Sequence, residues 1–196
     1  LEGSAGGTVV LDSASATQSI AADSGGGESF PNLTVNNTNA TPTVQLTSDI
    51  DVDGNLTVTA GDLDANDGTA RQINVAGDWD ATGGAFTPGG NRVVFDGTAA
   101  QTVASEDFAL LDVTNSQGGV TVGFTGATTA TDTTVNASAD VAFSSSLTVD
   151  TLSLTNAGSV TVDGNLTVNT AGGMTSGANP FAVTLNGASN TIAGTT

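Results

Sequence analysis

The feature that most constrains the fold is a short strand motif that occurs three times along the chain. Its copies span residues 8–12, 92–97 and 182–187, and a second short run follows each of them at 17–21, 100–104 and 190–194. The aligned positions Leu11, Phe95 and Leu185 lie about 85 to 90 residues apart, and repeats with a fixed period are typical of architectures that stack similar units. We therefore divide the chain into a first long repeat (1–89), a second long repeat (90–179) and the start of a third (180–196).

A shorter unit is nested inside the long one. The heptapeptide Val-Asp-Gly-Asn-Leu-Thr-Val at 52–58 recurs letter for letter at 162–168. Each unit reads as a strand, an Asx-Gly turn and a second strand, repeating every 20 to 25 residues or so. Alternation places one set of side chains inward and another outward. The inward set is Ile50, Val52, Leu56 and Val58, and the outward set is Asp51, Asp53 and Thr57.

Such a unit has one apolar face that it cannot bury alone. Stacking successive units buries that face and extends the core along an axis, which predicts an all-β solenoid. The alternative is a pair of Ig-like β-sandwiches in tandem, each built from one long repeat.

The order of the motifs resembles the Gly/Asn/Thr-rich repeats of large bacterial surface proteins. A Val-x-Phe-x-Gly strand lies at 93–97, a Gln-x-Val strand at 101–103, Phe-x-Asn-Leu-x-Val-Asn-Asn at 30–37 and Val-x-Gly-x-Leu at 52–56. These repeats are similar to the solenoids of filamentous haemagglutinins and autotransporter passenger domains. The resemblance covers nearly the whole chain, and it implies a right-handed parallel β-helix on the cell exterior.

The charge balance excludes several classes of partner. The chain carries 20 acidic residues against 2 basic ones, a formal net charge of −18. Nucleic acid and anionic membrane surfaces need a basic patch, so we expect neither as a partner. No apolar run approaches the roughly 18 residues that a membrane helix requires, so we expect no membrane insertion. The acidity itself fits solubility in a saline exterior, binding of divalent cations, or drift on a surface-displayed protein.

The usual catalytic side chains are missing. The sequence has no His, no Cys and no Lys, which removes the commonest acids, bases and nucleophiles. A β-helix can host glycoside hydrolysis by paired carboxylates, and the candidates here are the Asp residues at 62, 64, 67, 78 and 80. A glycan site also needs an aromatic platform, and the single Trp79 falls at an inward position where we expect core. We predict no enzyme activity, and we expect Arg71 and Arg92 to be lone surface charges.

Calcium is the one cofactor that the sequence suggests. Asp62, Asp64, Asn66 and Asp67 cluster just before Gly68 in a predicted turn, and hard oxygen ligands suit Ca²⁺. The segment 49–54 imitates the opening of an EF-hand loop, but Ala60 stands where that loop requires Glu. We therefore interpret 49–54 as a strand with a polar outer face. Thr-x-Thr pairs such as Thr57/Thr59 do not show the coil-to-coil register of an ice-binding array and are explained by β-propensity.

The chain starts and finishes within copies of the same strand motif. Open strand edges at the two ends of a solenoid invite pairing with further strands. We predict assembly edges at Val9, Val10, Val183, Leu185 and Ile192, with copies of the chain or adjacent repeats joining head to tail. The function expected is that of a non-enzymatic extracellular structural or adhesive repeat protein that forms or extends a cell-surface filament or stalk. The alternative is a surface module that binds glycan or calcium.

Overall fold

The computed structural model describes residues 6–21, 29–38, 44–156, 158–171, 173–177 and 182–192. The end of the third motif copy, residues 193–194, and the predicted repeat boundary at 179–180 lie outside these ranges. Within them the chain forms 23 β-strands and no helix.

In chain order the strands are β1 (Val9–Leu11), β2 (Gln18–Ile20), β3 (Ser29–Phe30), β4 (Leu33–Asn36), β5 (Val44–Leu46), β6 (Ile50–Val52), β7 (Leu56–Ala60), β8 (Asp62–Asp64), β9 (Gln72–Val75), β10 (Trp79–Asp80), β11 (Ala85–Thr87), β12 (Arg92–Phe95), β13 (Gln101–Val103), β14 (Glu106–Val113), β15 (Thr121–Phe124), β16 (Thr128–Asn136), β17 (Asp140–Phe143), β18 (Leu147–Asn156), β19 (Ser159–Val162), β20 (Leu166–Val168), β21 (Met174–Ser176), β22 (Ala182–Leu185) and β23 (Thr191–Ile192).

The strands form three parallel sheets that run along one axis. Sheet 1 has nine strands in the order β1-β4-β7-β10-β13-β15-β17-β19-β22. Sheet 2 has four, β2-β5-β8-β11, and sheet 3 has ten, from β3 to β23. Each strand pairs with strands one coil before and after it, so the chain is a β-solenoid of about eight turns. The predicted solenoid is confirmed, and the alternative of two antiparallel sandwiches is wrong.

The cross-section of the solenoid changes along its length. The first four coils visit all three sheets in turn, whereas from β13 onward every strand belongs to sheet 1 or sheet 3. The strands β14, β16 and β18 are 8, 9 and 10 residues long. Only the second half of β14 pairs with β12, and β18 pairs with β20 through its first half and β21 through its second. Each long strand therefore occupies two faces of the coil.

Coil length follows this change. Val9 pairs with Leu33, which is 24 residues further on, and Leu33 pairs with Leu56 after 23 residues. The coils from Phe124 to Phe143 and from Phe143 to Val162 take only 19 residues each. The last coil of sheet 1, from Val162 to Leu185, returns to 23 residues. The first and last coils thus differ in length by one residue, and the shortening is confined to the later part of the rod.

The core consists of inward side chains stacked in columns. One column of sheet 1 contains Val9, Leu33, Leu56, Trp79, Val103, Phe124, Phe143, Val162 and Leu185. The predicted inward residues Ile50, Val52, Leu56 and Val58 are all buried. Trp79 is 1% exposed and meets the ring of Phe86 edge-on with centroids 4.9 Å apart, which confirms its prediction as core.

Asx side chains connect neighbouring coils at the corners. The Asn32 Oδ1 atom accepts a hydrogen bond from the amide of Asn55, and the Asn55 Oδ1 atom accepts one from the amide of Asp78, each at 2.9 Å. Asn165, in the second copy of the heptapeptide, likewise accepts from the amide of Ser189 at 3.0 Å. The first copy turns the chain from sheet 3 into sheet 1 and the second turns it from sheet 1 into sheet 3. The heptapeptide therefore encodes a corner, whichever faces that corner joins.

A Gln-Asn pair, buried in the second copy of the long repeat and partly buried in the first, recurs with the motif. In the first copy the Asn37 amide donates to the Ala16 carbonyl at 3.0 Å and to Gln18 Oε1 at 3.3 Å. In the second, Asn115 donates to the Ala99 carbonyl at 2.8 Å and to Gln101 Oε1 at 3.0 Å. Buried amides need such partners because an unpaired polar group costs about 1–3 kcal/mol. In both copies the Gln at the start of one strand is thus joined by hydrogen bonds to the Asn that follows the end of a later strand.

Close stacking of corner glycines makes a stability prediction. A Cβ on Gly77 would lie 2.5 Å from the carbonyl carbon of Gly54 and 2.6 Å from its oxygen. We expect Gly77→Ala to lower the free energy of unfolding by about 2–3 kcal/mol, because the two backbones must move apart. Gly90→Ala is the matched control, since nothing lies within 4 Å of its Cβ, and it should change stability by less than about 1 kcal/mol. Chemical denaturation checks both, and equal effects would contradict close stacking at the corners.

Candidate functional site

The four predicted calcium ligands lie on β8 and the turn that follows it. Asp62 and Asp64 flank the buried Leu63 on the outer face of the strand. The Asp62 carboxylate accepts hydrogen bonds from the Thr87 hydroxyl at 3.1 and 3.2 Å, and Asp64 accepts one from the Asn66 amide at 2.8 Å. These side chains are engaged with separate partners, and no three acidic groups of the described residues converge as a metal site would require. Calcium binding at Asp62, Asp64, Asn66 and Asp67 stays a prediction.

The electrostatics of this cluster differ from residue to residue. Burial raises the pKa of Asp62, the Thr87 hydrogen bond opposes that rise, and the nearby Asp64 adds to it. Hydrogen bonds from Arg71 and from the Thr69 amide lower the pKa of Asp67. The charged form of the Asp67 carboxyl is therefore stabilised as the ion-pair partner of Arg71.

Both arginines are paired, so the expectation that they are lone surface charges is wrong. Arg71 Nη2 lies 2.6 Å from Asp67 Oδ2, and Arg92 Nη1 contacts Asp112 Oδ2 on the next strand of sheet 3. Arg92 and Asp112 are one coil apart in the chain, so only the coil length brings them together. Each pair cancels one of the few positive charges of the chain locally.

Segment 49–54 forms the strand β6 and a corner, as predicted. Ile50 and Val52 are buried, and Asp49 Oδ1 accepts a hydrogen bond from the Gln72 amide at 2.9 Å. Burial raises the pKa of Asp51, and the charge of Asp53 raises it further. The pKa of Asp96, which lies further along the same side of the rod, is raised first by burial and then by Asp51. Repulsion between these carboxylates therefore destabilises the folded solenoid at this corner.

Glu106 is the acidic residue whose position the sequence least reveals. It begins β14 on the same side as the buried Phe108, in a column with the buried Thr128. Burial raises the pKa of the Glu106 carboxyl, and the hydrogen bond from the Asp107 amide, 3.1 Å long, opposes the rise. The indole Nε1 of Trp79 makes no hydrogen bond of normal geometry, although it lies near enough to Glu106 to lower that pKa somewhat.

An open groove lies on the outer face of sheet 1. Its volume is about 520 Å³, and its polar lining comes from Asn55, Thr57, Asp78, Asp80, Thr82, Thr102 and Thr125. Asp78 already accepts a hydrogen bond from the Thr102 amide, and Asp80 accepts one from the Thr82 hydroxyl. The Trp79 ring is buried on the far side of the strand, so it offers no stacking platform to a sugar. The groove provides hydroxyls and carboxylates, but the carboxylates are committed to the structure.

Threonines form one outward column that sequence reasoning missed. Thr129, Thr148, Thr167 and Thr191 pair in register on four successive coils of sheet 3. The intervals between them vary with coil length, so no fixed spacing in the sequence reveals the column. The column is one residue wide, and the residue that precedes Thr129 in it, one coil earlier, is Asp107.

The predicted assembly edges lie at the two ends of the solenoid. The large hydrophobic side chains that are exposed within the described residues are Val10 (48%), Val183 (37%) and Ile192 (44%). Val10 is on β1, Val183 on β22 and Ile192 on β23, the outermost strands of sheets 1 and 3. Val9 and Leu185 are partly buried against the core. The exposed apolar surface of the described chain is therefore concentrated at its ends.

Comparison with known proteins places no relative beside this chain. No family model, no curated protein and no solved structure matches it. Among the described residues, no helix is long and apolar enough to cross a membrane.

The buried position of Glu106 predicts how stability depends on pH. Its pKa is raised in the folded chain, so folding favours the protonated form. The Glu106 carboxyl therefore destabilises the fold least at pH values below its pKa in the unfolded chain. The free energy of unfolding falls as the pH rises from there through the pKa of Glu106 in the folded chain. We expect Glu106→Gln to raise the denaturation midpoint at pH 7 and to have little effect near pH 3, where the carboxyl of the parent is already neutral. Denaturant titration at both pH values tests this, and an unchanged midpoint at pH 7 would contradict the inward placement of the carboxylate.

Proposed function

We propose that this chain is a non-enzymatic extracellular structural protein, the rod-like element of a cell-surface filament or stalk, with an adhesive role where its outer face is displayed. The observation that carries the proposal is the parallel ladder of sheet 1, which runs through nine strands from β1 to β22. Backbone hydrogen bonds in a solenoid run along its axis, so tension on the rod is resisted by every coil.

The dimensions favour the same role. Eight steps between the nine strands, at about 4.8 Å each, give a rod of roughly 38 Å from one chain. Rods of this kind gain length by adding coils along the axis. Stacked copies or adjacent repeats would therefore produce a stiff stalk of any length.

The surface chemistry supports an exterior setting for this rod. A net charge of −18 keeps neighbouring rods apart laterally, because like charges repel, and it makes the ionic strength of the surroundings matter. The chain has no cysteine, so its stability rests on the ladder and on the packed columns rather than on disulfides.

The residues capable of acid-base chemistry support a structural role more than a catalytic one. Asp78 and Asp80 in the groove, and Asp62 and Asp64 on β8, accept hydrogen bonds from neighbouring protein groups. Their hydrogen bonds fix loops and adjacent coils. Removing them would be expected to weaken the fold before it altered any chemistry.

Surface labelling of the cells that make this protein tests the proposal. An antibody raised against the purified chain should label intact cells along thin projections when imaged by immunogold electron microscopy. An antibody against an intracellular protein is the control for cell integrity and should label only after permeabilisation. If the chain too is labelled only in permeabilised cells, the proposed function is wrong.

A further inference from the structure

We infer that the outer edge of β22 pairs, in parallel, with the outer edge of β1 of a second copy of this chain, with Leu185 opposite Val9. This inference rests on the proposed function and identifies the contact by which the rod grows. The pairing continues sheet 1 from one copy into the next.

The backbone geometry of the two edges is complementary. The Val9 amide donates to the Asn32 carbonyl at 2.9 Å, so the backbone groups of Val9 face β4 of the same chain. Alternate residues of a parallel strand direct their N–H and C=O groups to opposite sides, so those of Val10 face the outer edge. At the other end the Asn186 amide donates inward to the Val162 carbonyl at 2.9 Å, which places the groups of Val183 and Leu185 on the outer edge. Docking the edges gives each of these groups a partner.

The inward columns continue across the proposed contact. Leu185 ends the inward column that Val9 begins, so placing Leu185 opposite Val9 of the next copy continues that column, and Val183 follows Val160 in the inward column beside it. Val183 is 37% exposed, although its neighbour in the column, Val160, is buried. Stacking a second copy covers this surface, and burial of apolar area is the main favourable term in association.

The two end coils have matching lengths. The first coil of sheet 1 takes 24 residues and the last takes 23, whereas the two coils before the last take 19. Coils of equal length have similar perimeters, so the two ends can stack without a step. The strand motif is also shared, because β1 lies in its first copy and β22 in its third.

Charge is nearly absent at the proposed contact. No Asp, Glu, Lys or Arg follows Asp163 in the sequence, in a chain whose net charge is −18. Residues 6–21, which contain β1 and β2, include one charged residue, Asp12. Repulsion between copies is therefore weakest where the ends meet, whereas side-by-side contact would oppose two acidic surfaces. Among the possible occupants of these edges, a second copy fits both the register and the charge.

A proline substitution tests the edge directly. Val10→Pro removes the amide that the second copy would bind, but it leaves the Val9 amide and its bond to Asn32 intact. Val10→Thr is the matched control, since Thr34 and Thr57 occupy the same outward column and the amide is kept. We expect sedimentation velocity to show concentration-dependent head-to-tail assembly of the parent and of Val10→Thr, and to require about a hundredfold more Val10→Pro for the same degree of assembly.

Cysteine cross-linking gives a second readout that does not depend on the proline variant folding. The proposed register places Asn186 of one copy beside Val10 of the next, and the chain has no cysteine of its own. The double variant Val10→Cys with Asn186→Cys should yield a ladder of dimers, trimers and longer products with a short dithiol cross-linker. Each single variant should yield almost none, because the register never brings two copies of the same position together.

The outcomes separate this inference from the proposed function. A parent chain that stays monomeric at about millimolar concentration, at an ionic strength that screens its charge, overturns the inference. So does equal assembly of Val10→Pro and Val10→Thr, or cross-linking of the single variants as efficient as that of the double variant. Surface labelling on intact cells together with any of these results would leave the proposed function standing, with the rod extended by neighbouring repeats of a longer chain instead.

Discussion

The axial ladder of backbone hydrogen bonds is the constraint on which the rest of this structure depends. Each inward residue of sheet 1 binds the following coil, as Leu33 does when its amide donates to the Asn55 carbonyl. Successive coils must therefore stay about 4.8 Å apart at every corner as well as along every strand. Corner glycines such as Gly54 and Gly77 are required by this spacing, because any side chain there would separate the coils. The Asn32 and Asn55 side chains extend the same ladder through positions where no strand exists.

The ladder leaves the corners free to vary while the inward columns stay in register. Coils of 19 and of 24 residues stack on the same column, since the difference is absorbed where two short strands are replaced by one long bent strand such as β16. The largest side chains occupy the middle of the rod, where Trp79, Phe95, Phe108, Phe124 and Phe143 pack ring to ring. A thin core lined mainly by Val and Leu is thereby thickened at its centre, and the first and last coils are of similar length.

The inward alternation of Ile50, Val52, Leu56 and Val58 could be predicted from the sequence, because period-two patterning is a local property. Trp79 was predictable for the same reason. Alternation does not distinguish parallel from antiparallel pairing, so the sandwich alternative could be rejected only from the structure. The ion pair between Arg92 and Asp112 and the threonine column beginning at Thr129 depend on the length of particular coils, which the sequence does not state. Gln101 and Asn115 could be recognised in the sequence as repeated positions, but their role as a hydrogen-bonded pair depends on their burial. For the candidate site, the sequence located the apolar ends and the acidic turn at Asp62, and the structure separated the carboxylates of that turn among different partners.

Residue-resolved amide hydrogen exchange, measured on dispersed chains and on assembled material, tests most directly whether one backbone ladder runs through the chain and is completed by the next copy. The amides of Val10, Val183 and Leu185 face the outer edges, so their exchange should be fast in dispersed chains and slow in the assembly. The amide of Val9, bound to Asn32 within the chain, should be protected in both states. If Val10 and Val183 gain no protection on assembly, or if Val9 is unprotected in the dispersed chain, a ladder that continues from copy to copy is contradicted.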